Sequence, residues 1–270
     1  MDTAVDTRLK VRVTVSAGLG NQLFVLATAK ALSLKFNRKL EVFWSLTNLR
    51  FHFDNDFRLS LYSKFDIRCD TPEGRNITDE EHDLTNIMED VIVGGYCQSS
   101  KYFDSYRDDI LSGLYLSPTD INLIDTITGR IRAKNPGKRI IALQVRRTDY
   151  IEHEWTLPLS YYTDAMSMFP DCVFVITTDD VDWCKSNLPD NCEYLTCYSE
   201  NSLQDYIQMY IMSKLDGMIM ANSTFGWWIA YIGNFSTVVA PTPWFKSSPY
   251  NKDIYIDHWF KLQLKNELKE

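Results

Sequence analysis

The sequence predicts an α/β fold made of two Rossmann-like domains that face a cleft. Short apolar strands alternate with helical segments along both halves of the 270-residue chain, a pattern typical of parallel, doubly wound sheets. A chain of this length also favours two domains over one. Asn135-Pro136-Gly137-Lys138 is the clearest linker. We therefore expect an N-terminal domain over residues 1–135 and a C-terminal domain over residues 136–270.

The first half opens as a β-α-β unit, with a tight turn at Gly18–Gln22 between strand and helix. Its expected elements are a strand at 11–15, a helix at 23–36, strands at 40–44 and 91–96, and helices up to about residue 132. Asn37 can end the first helix in the left-handed conformation. Residues 45–90 are polar, aromatic and irregular, and we predict no regular element there.

The second half alternates more regularly. We expect strands at 140–145, 172–177, 193–196, 217–220 and 237–240, and helices at 159–169, 181–188, 202–214 and 224–232. Ser202 as N-cap, with Asp205 three residues later, resembles a capping box. Ligands of such sheets bind outside the carboxyl ends of the strands, so the residues that follow each strand are the candidate site.

Charge and composition exclude several classes of protein. The net charge of −8 and the pI of about 5.1 disfavour binding to nucleic acid or to anionic membranes. The six cysteines are scattered without a Cys-x-x-Cys pair, so structural zinc is not expected. With no apolar run long enough for a membrane span and no signal peptide, we expect a cytoplasmic protein. A trimmed luminal domain is the alternative.

The most informative motif is Gln144–Tyr150, which follows the apolar strand at 140–143. Its adjacent Arg146 and Arg147 offer planar, permanently charged donors that suit phosphate oxygens. In an acidic protein a basic site for a phosphorylated small molecule has to be local, as this pair is. The alternative is an arginine–carboxylate pair that ties down a loop.

Three further stretches follow predicted strands. Gly18, Gly20 and Asn21 lie where helix N–H groups attract anions, although Leu23 replaces the last glycine of a dinucleotide-binding motif. Asn21 can bind a phosphate or sugar hydroxyl, or cap the helix.

Thr177–Asp180 ends with two carboxylates that can bind sugar hydroxyls or cap the next helix; nothing in the sequence requires a metal. Asn222, Ser223, Thr224 and Phe225 open a further helix and form a second candidate anion site.

Together these stretches resemble the α-1,2-fucosyltransferase family and its relatives, which share Gly-Leu-Gly-Asn-Gln near the start and His-x-Arg-Arg-x-Asp midway. The similarity covers residues 18–24, 95–103, 145–150, 177–180 and 221–228, in that order. The resemblance implies a GT-B fold, a metal-independent inverting transfer, an N-terminal acceptor half and a C-terminal nucleotide-sugar half. No cofactor is implied besides the donor substrate.

The resemblance also implies roles for individual residues. Arg146 would grip the β-phosphate of the donor and stabilise the leaving nucleoside diphosphate. Ser223 and Thr224 would bind the diphosphate as well, and Asn21 would reach it across the cleft. Asp149 would fix the arginine loop. If a side-chain base exists, Glu154 is the first candidate.

Two positions depart from the family pattern: Gln144 replaces the histidine of the arginine motif, and Gln208 stands where an aspartate is expected. In related enzymes such a His and Asp recognise guanine. A glutamine amide suits uracil better, because it offers one donor and one acceptor.

The sequence therefore predicts a fucosyltransferase that uses GDP-fucose, with a relative that uses a UDP-sugar as the alternative. A nucleotide- or carbohydrate-binding module without catalysis is the alternative outside the enzymes. We expect a nucleotide-sugar donor and a glycan acceptor as partners, whereas the oligomeric state is not predicted.

Overall fold

The computed structural model describes residues 7–44, 56–78, 81–199, 202–245 and 253–265. The chain divides into two compact units, Met1–Ser117 and Pro118–Glu270. Each unit contains one parallel sheet with helices, so the predicted α/β class is confirmed. The expected irregular stretch 45–90 lies partly outside the described residues.

In the described part of unit 1, the strands are β1 (Lys10–Val15), β2 (Lys39–Trp44), β3 (Ile67–Arg68), β4 (Arg75–Ile77) and β5 (Val91–Val93). The helices there are α1 (Leu19–Lys35), α2 (Asp56–Leu61) and α3 (Arg107–Gly113). The strand order is β3-β2-β1-β5-β4, and all pairs are parallel. β3, β4 and α2 were not predicted, because they are too short to show a period in the sequence.

In the described part of unit 2, the strands are β6 (Ile140–Val145), β7 (Val173–Thr178), β8 (Cys192–Tyr194), β9 (Gly217–Ile219), β10 (Val238–Thr242) and β11 (Phe260–Gln263). The helices are α4 (Pro118–Lys134), α5 (Thr148–Glu152), α6 (Leu159–Ser167), α7 (Val181–Asn187), α8 (Asp205–Ser213) and α9 (Thr224–Gly233). The parallel sheet has the order β11-β10-β9-β6-β7-β8. β6 is buried along its whole length.

The order of this sheet reverses at β6, because the chain runs from β6 outward through β7 and β8 and then continues at β9 on the other side. The carboxyl ends of β9, β6 and β7 are therefore neighbours at a topological switch point. Every strand predicted in this half is present, whereas β11 and α5 were not predicted.

Two helix starts differ from the sequence prediction. α1 begins at Leu19, four residues early, because one left-handed residue, Ala17 (φ 65°), makes the turn and Gly18 is the extended N-cap. α8 begins at Asp205, and its N-cap is Gln204, so the capping role of Ser202 is wrong. Asn37 has φ 49° at the end of α1, as predicted.

The boundary between the units also differs from the expected position, since α4 belongs to unit 2. Its Arg132 makes two hydrogen bonds to Asp216, at 2.6 Å from Nη1 and 2.7 Å from Nη2. Asp216 also accepts the backbone N–H of Ile140 at 2.8 Å. This carboxylate joins the end of α4 to the first residue of β6 and the entry to β9. The turn at 135–138 is therefore internal to unit 2, and no linker.

Close packing between α9 and β6 depends on a glycine. A Cβ at Gly226 would come 2.1 Å from Oε1 of Gln144 and 3.3 Å from Cβ of Met220. Gln144 is itself buried and cannot swing into solvent. The absence of a side chain at Gly226 therefore lets the first turn of α9 approach the carboxyl end of β6.

We expect Gly226→Ala to destabilise the protein by about 1–3 kcal/mol, because the new methyl group overlaps a buried amide. Gly129→Ala in α4 is the matched control. A Cβ there meets nothing within 4 Å, so the change is neutral or stabilising by up to about 1 kcal/mol. The free energy of urea unfolding measures both, and equal effects would contradict the packing.

We expect Asp216→Asn to destabilise the protein at neutral pH by about 1–3 kcal/mol and to weaken the acid dependence of its stability. Burial alone would raise the pKa of Asp216, but hydrogen bonds from Arg132 and Ile140 lower it overall below its usual 3.8. Stability from such a group is present above its unfolded pKa and is lost as the pH falls through its lower folded pKa.

The wild type should therefore lose more free energy of unfolding than Asp216→Asn between about pH 5 and pH 3. Asp125→Asn is the control. Asp125 lies on the same helix as Arg132 and pairs with Lys214 at the surface, so its replacement should change the stability little. Parallel acid profiles of the wild type and Asp216→Asn would show that this contact is not the anchor.

Candidate active site

The arginine motif lies at the carboxyl end of β6 and runs into the short helix α5. The Asp179 carboxylate, at the end of neighbouring β7, fixes its course. Oδ1 of Asp179 accepts the N–H of Arg147 at 2.9 Å, and Oδ2 accepts the N–H of Thr148 at 3.2 Å and the Thr148 hydroxyl. Asp179 therefore satisfies N–H groups at the start of α5 that the helix cannot satisfy itself.

The two arginines of the motif differ in environment. Nη1 of Arg146 lies 3.0 Å from Asp179, Nη2 lies 2.7 Å from Asp149, and the side chain is 34% exposed. Arg147 is more enclosed, with Nε 3.0 Å from Asp180 and its guanidinium 4.0 Å from the centre of the Trp183 ring. Arg146 is therefore the one that can meet a ligand, and Arg147 fastens the loop.

The expectation of a locally basic site is wrong for these side chains. Three carboxylates, those of Asp149, Asp179 and Asp180, face the two guanidiniums. These contacts match the alternative of an arginine–carboxylate pair that ties down the loop, and the role expected of Asp149. Attraction for an anion then has to come from backbone N–H groups, or from exchange of a carboxylate.

The N-terminus of α9 supplies such N–H groups beside the loop. Ser223 is its N-cap in an extended conformation, without a side-chain cap, and no acidic residue lies in the first turn. Thr224 and Phe225 form that first turn. The N–H groups of a first turn lack partners within the helix and carry its positive dipole end. The helix start predicted at these residues is therefore present, whereas anion binding there stays a prediction.

Two residues join α9 to the arginine loop. The Tyr150 hydroxyl donates to the Asn222 carbonyl at 3.1 Å, and Nδ2 of the buried Asn222 donates to the Trp155 carbonyl at 2.9 Å. The Tyr150 ring lies 5.5 Å from the Arg146 guanidinium. Arg146, Asn222 and Ser223 therefore belong to one connected cluster.

Tyr150 was not predicted as a site residue, although it directly follows the Arg-Arg-x-Asp motif. Burial raises its pKa to about 12, and the charge of Asp149 adds to this, against the lowering effects of Arg146 and Ser223. The hydroxyl is therefore neutral near pH 7 and acts as a donor, which makes Tyr150 unsuitable as a general base.

The two glutamines that depart from the family pattern both have internal partners. Oε1 of the buried Gln144 accepts the Ala221 N–H at 3.3 Å. Oε1 of Gln208 accepts the Thr177 hydroxyl at 3.0 Å, and its Nε2 donates to the Leu203 carbonyl at 2.8 Å. Each amide oxygen therefore already accepts one hydrogen bond from the protein, and Nε2 of Gln208 donates one as well.

The second carboxylate after β7 is a helix cap, one of the two roles expected. Oδ1 of Asp180 accepts the Trp183 N–H at 3.1 Å and caps α7. Glu154, the candidate base, is exposed in the turn after α5 and has φ 55°. Non-glycine residues in this conformation are strained and often lie at functional sites.

Aromatic rings cover one side of the loop. Trp155 stacks on His153 with ring centres 4.6 Å apart, and it contacts Phe245 at 4.9 Å and Tyr150 at 5.6 Å. The sequence analysis did not predict this group of rings, because ring contacts across a fold leave no spacing pattern.

The glycine motif lies in unit 1, at the end of β1. The carbonyl of left-handed Ala17 accepts Nε2 of buried Gln22 at 2.8 Å and Nη1 of Arg58 at 3.4 Å. Gly18 is the N-cap and Gly20 is buried in the first turn of α1. Asn21 is no helix cap, because its Oδ1 accepts Nε2 of Gln98 at 3.1 Å.

Among the described residues, no group of three or more His, Cys, Asp or Glu side chains is placed to hold a metal ion. No helix within those ranges is long and apolar enough to cross a membrane.

Comparison with known proteins gives relatives of one chemical class. The chain is 25% identical to an α-1,2-colitosyltransferase of Escherichia coli, over 92% of this chain and 97% of that one. It is 28% identical to the O-antigen biosynthesis glycosyltransferase WbnK of E. coli, over 63% of this chain but only 62% of that relative's length.

Solved structures show the same fold. NodZ α-1,6-fucosyltransferase, co-crystallised with GDP, matches with a TM-score of 0.54 at 18% identity, over 82% of this chain and 91% of that one. At this identity the match shows the fold alone, and it confirms the GT-B-like class. The model of glycosyl transferase family 11 matches residues 2–263. The chain therefore belongs to glycosyl transferase family 11.

Proposed function

We propose that the chain transfers L-fucose from GDP-fucose to a hydroxyl of a glycan acceptor, with inversion and in α-1,2 linkage. One observation carries this proposal: the half-exposed Arg146 lies at the switch point of the unit 2 sheet, joined through Tyr150 to the N-terminus of α9. Unit 2 then binds the donor and unit 1 the acceptor.

The reaction needs a positively charged group that stabilises the negative charge developing on the leaving part of the donor. The acceptor hydroxyl oxygen forms a bond to the anomeric carbon while the bond from that carbon to the β-phosphate oxygen breaks. The hydroxyl proton goes to a base, and GDP leaves with the bonding electrons. Arg146 and the N–H groups of Thr224 and Phe225 offset the charge that builds on the leaving diphosphate.

The carboxylates around Arg146 suit an exchange of ligands. Asp179 is 19% exposed and also holds the loop backbone, whereas Asp149 is 52% exposed and pairs with Arg146 at the surface. We infer that a phosphate oxygen displaces Asp149 from Nη2 while Asp179 keeps Nη1 in place. Arg146 is then oriented before the donor arrives, which reduces the ordering cost of binding.

Glu154 is the proposed base. Its carboxylate is exposed, so a bound acceptor can reach it, and its left-handed backbone sets its direction relative to α5. Asp149 is a weaker candidate, because it lies against Arg146, on the side of the leaving diphosphate.

The identities of the sugar and of the nucleobase in the donor are inferred from the relatives of the chain. A relative matched over nearly its whole length is named an α-1,2-colitosyltransferase, so a colitosyl donor is the second candidate. Guanine is preferred over uracil on the same ground, since NodZ α-1,6-fucosyltransferase, which has the same fold, was co-crystallised with GDP. Membership of a transferase family argues against the binding-module alternative.

Arg146→Ala should lower kcat/KM for GDP-fucose by about 10²–10³-fold, the cost of removing one donor to a developing oxyanion. Arg146→Lys should recover only part of the lost kcat/KM. A single ammonium group cannot bind Asp179 and a phosphate in the way that the two Nη groups of a guanidinium can. Initial rates of GDP release measure both.

Asp149→Asn is the matched control, since it changes the other partner of the same guanidinium. The affinity for GDP should stay the same or rise in this variant, because the neutral amide at position 149 competes less with a phosphate for Nη2 of Arg146. If Arg146→Ala released GDP as fast as the wild type, Arg146 would have no role in the transfer.

Thermal shifts with GDP and UDP test the nucleobase. At saturating concentrations GDP should raise the Tm by several degrees and UDP by clearly less. A larger shift with UDP would restore the UDP-sugar alternative and reject GDP-fucose.

A further inference from the structure

The carboxyl end of the unit 1 sheet presents an aromatic ring to solvent. Tyr96 lies just after β5 and is 62% exposed, whereas Val93 before it and Cys97 after it are buried. Large exposed rings are normal when scattered on a surface. Tyr96 differs from such scattered rings because of the backbone conformation on both sides of it.

The residues on both sides of Tyr96 are left-handed, Gly95 with φ 76° and Cys97 with φ 50°. A left-handed cysteine is strained and persists only where its surroundings demand it. Cys97 is fully buried, its Sγ donates to the Gly94 carbonyl at 3.5 Å, and its own carbonyl accepts the Ser99 N–H at 2.8 Å. The loop is therefore anchored at Cys97, and the Tyr96 ring is held outward.

A pair of amides lies at the same end of the sheet. β5 pairs directly with β1, so the loop after β5 adjoins the first turn of α1. There Nε2 of Gln98 donates to Oδ1 of Asn21 at 3.1 Å, and both side chains are half-buried. The hydrogen bond fixes both amides and leaves Nδ2 of Asn21 as a donor and Oε1 of Gln98 as an acceptor.

We propose that Tyr96, Asn21 and Gln98 form a subsite for one pyranose ring of the glycan acceptor. The apolar face of the ring stacks on Tyr96, and two hydroxyls bind the amide donor and acceptor. Such sites combine an aromatic surface with a few fixed polar groups. The proposal rests on the proposed function and gives Asn21 a role different from a contact to the donor diphosphate.

The test measures transfer from GDP-fucose to methyl β-D-galactoside and to lactose. Tyr96→Ala should raise the KM for the acceptor about tenfold or more, because a rigid stacking surface is lost, with little change in the KM for the donor. Tyr96→Phe should restore it, because only the hydroxyl is absent. Gln98→Ala should also raise the KM for the glycan, because it removes the side-chain oxygen that accepts a hydrogen bond from a sugar hydroxyl.

Met88→Ala is the matched control. Met88 is 82% exposed in the same unit but precedes β5, at the opposite end of the sheet, so both KM values should stay as in the wild type. An acceptor KM unchanged in Tyr96→Ala would overturn the subsite. So would loss of the GDP-induced rise in Tm in Tyr96→Ala, because the ring would then bind the donor.

Failure of the proposed function would give results that differ from those of a failed subsite. A wild type that neither releases GDP from GDP-fucose nor gains Tm with GDP rejects that function. Saturation-transfer NMR with the two galactosides then decides the subsite alone. Signals in the wild type that are lost in Tyr96→Ala support it, and equal signals or none in the wild type refute it.

Discussion

The Asp179 carboxylate holds the segment on which the candidate site depends. It accepts backbone N–H groups of Arg147 and Thr148 and also binds the Arg146 guanidinium. One side chain from β7 therefore sets both the course of the arginine loop and the direction of its exposed cation. A charge placed in this way needs little reorganisation during a reaction, which is the condition for effective stabilisation of a leaving group.

The surrounding contacts extend this constraint to a second element. Tyr150 packs by its ring against Arg146 and by its hydroxyl against the backbone of Asn222, where α9 is about to begin. Gly226 lets the first turn of α9 approach β6. A packed glycine, a half-buried phenol and a carboxylate thus bring a guanidinium and a helix N-terminus into one connected cluster.

Sequence patterns predicted the regular part of the fold and the cluster after β6, β7 and β9, because strand periodicity and chain order determine which loops meet. They did not predict contacts made by single side chains. The boundary was misplaced because the Arg132–Asp216 pair, which fastens α4 to unit 2, joins residues far apart in the chain. The buried hydrogen bond between Gln144 and the Ala221 N–H likewise leaves no trace in sequence spacing. The assignments of Arg146, Glu154 and Ser223 to catalysis or donor binding stay predictions.

In the proposed reaction, Arg146 neutralises the terminal phosphate of the leaving nucleotide. The most direct measurement compares the affinities of GDP and GMP for the wild type and for Arg146→Ala by calorimetry. If Arg146 binds the β-phosphate, the wild type should prefer GDP by about tenfold or more, and Arg146→Ala should lose most of this preference. An undiminished preference for GDP in Arg146→Ala would contradict the account.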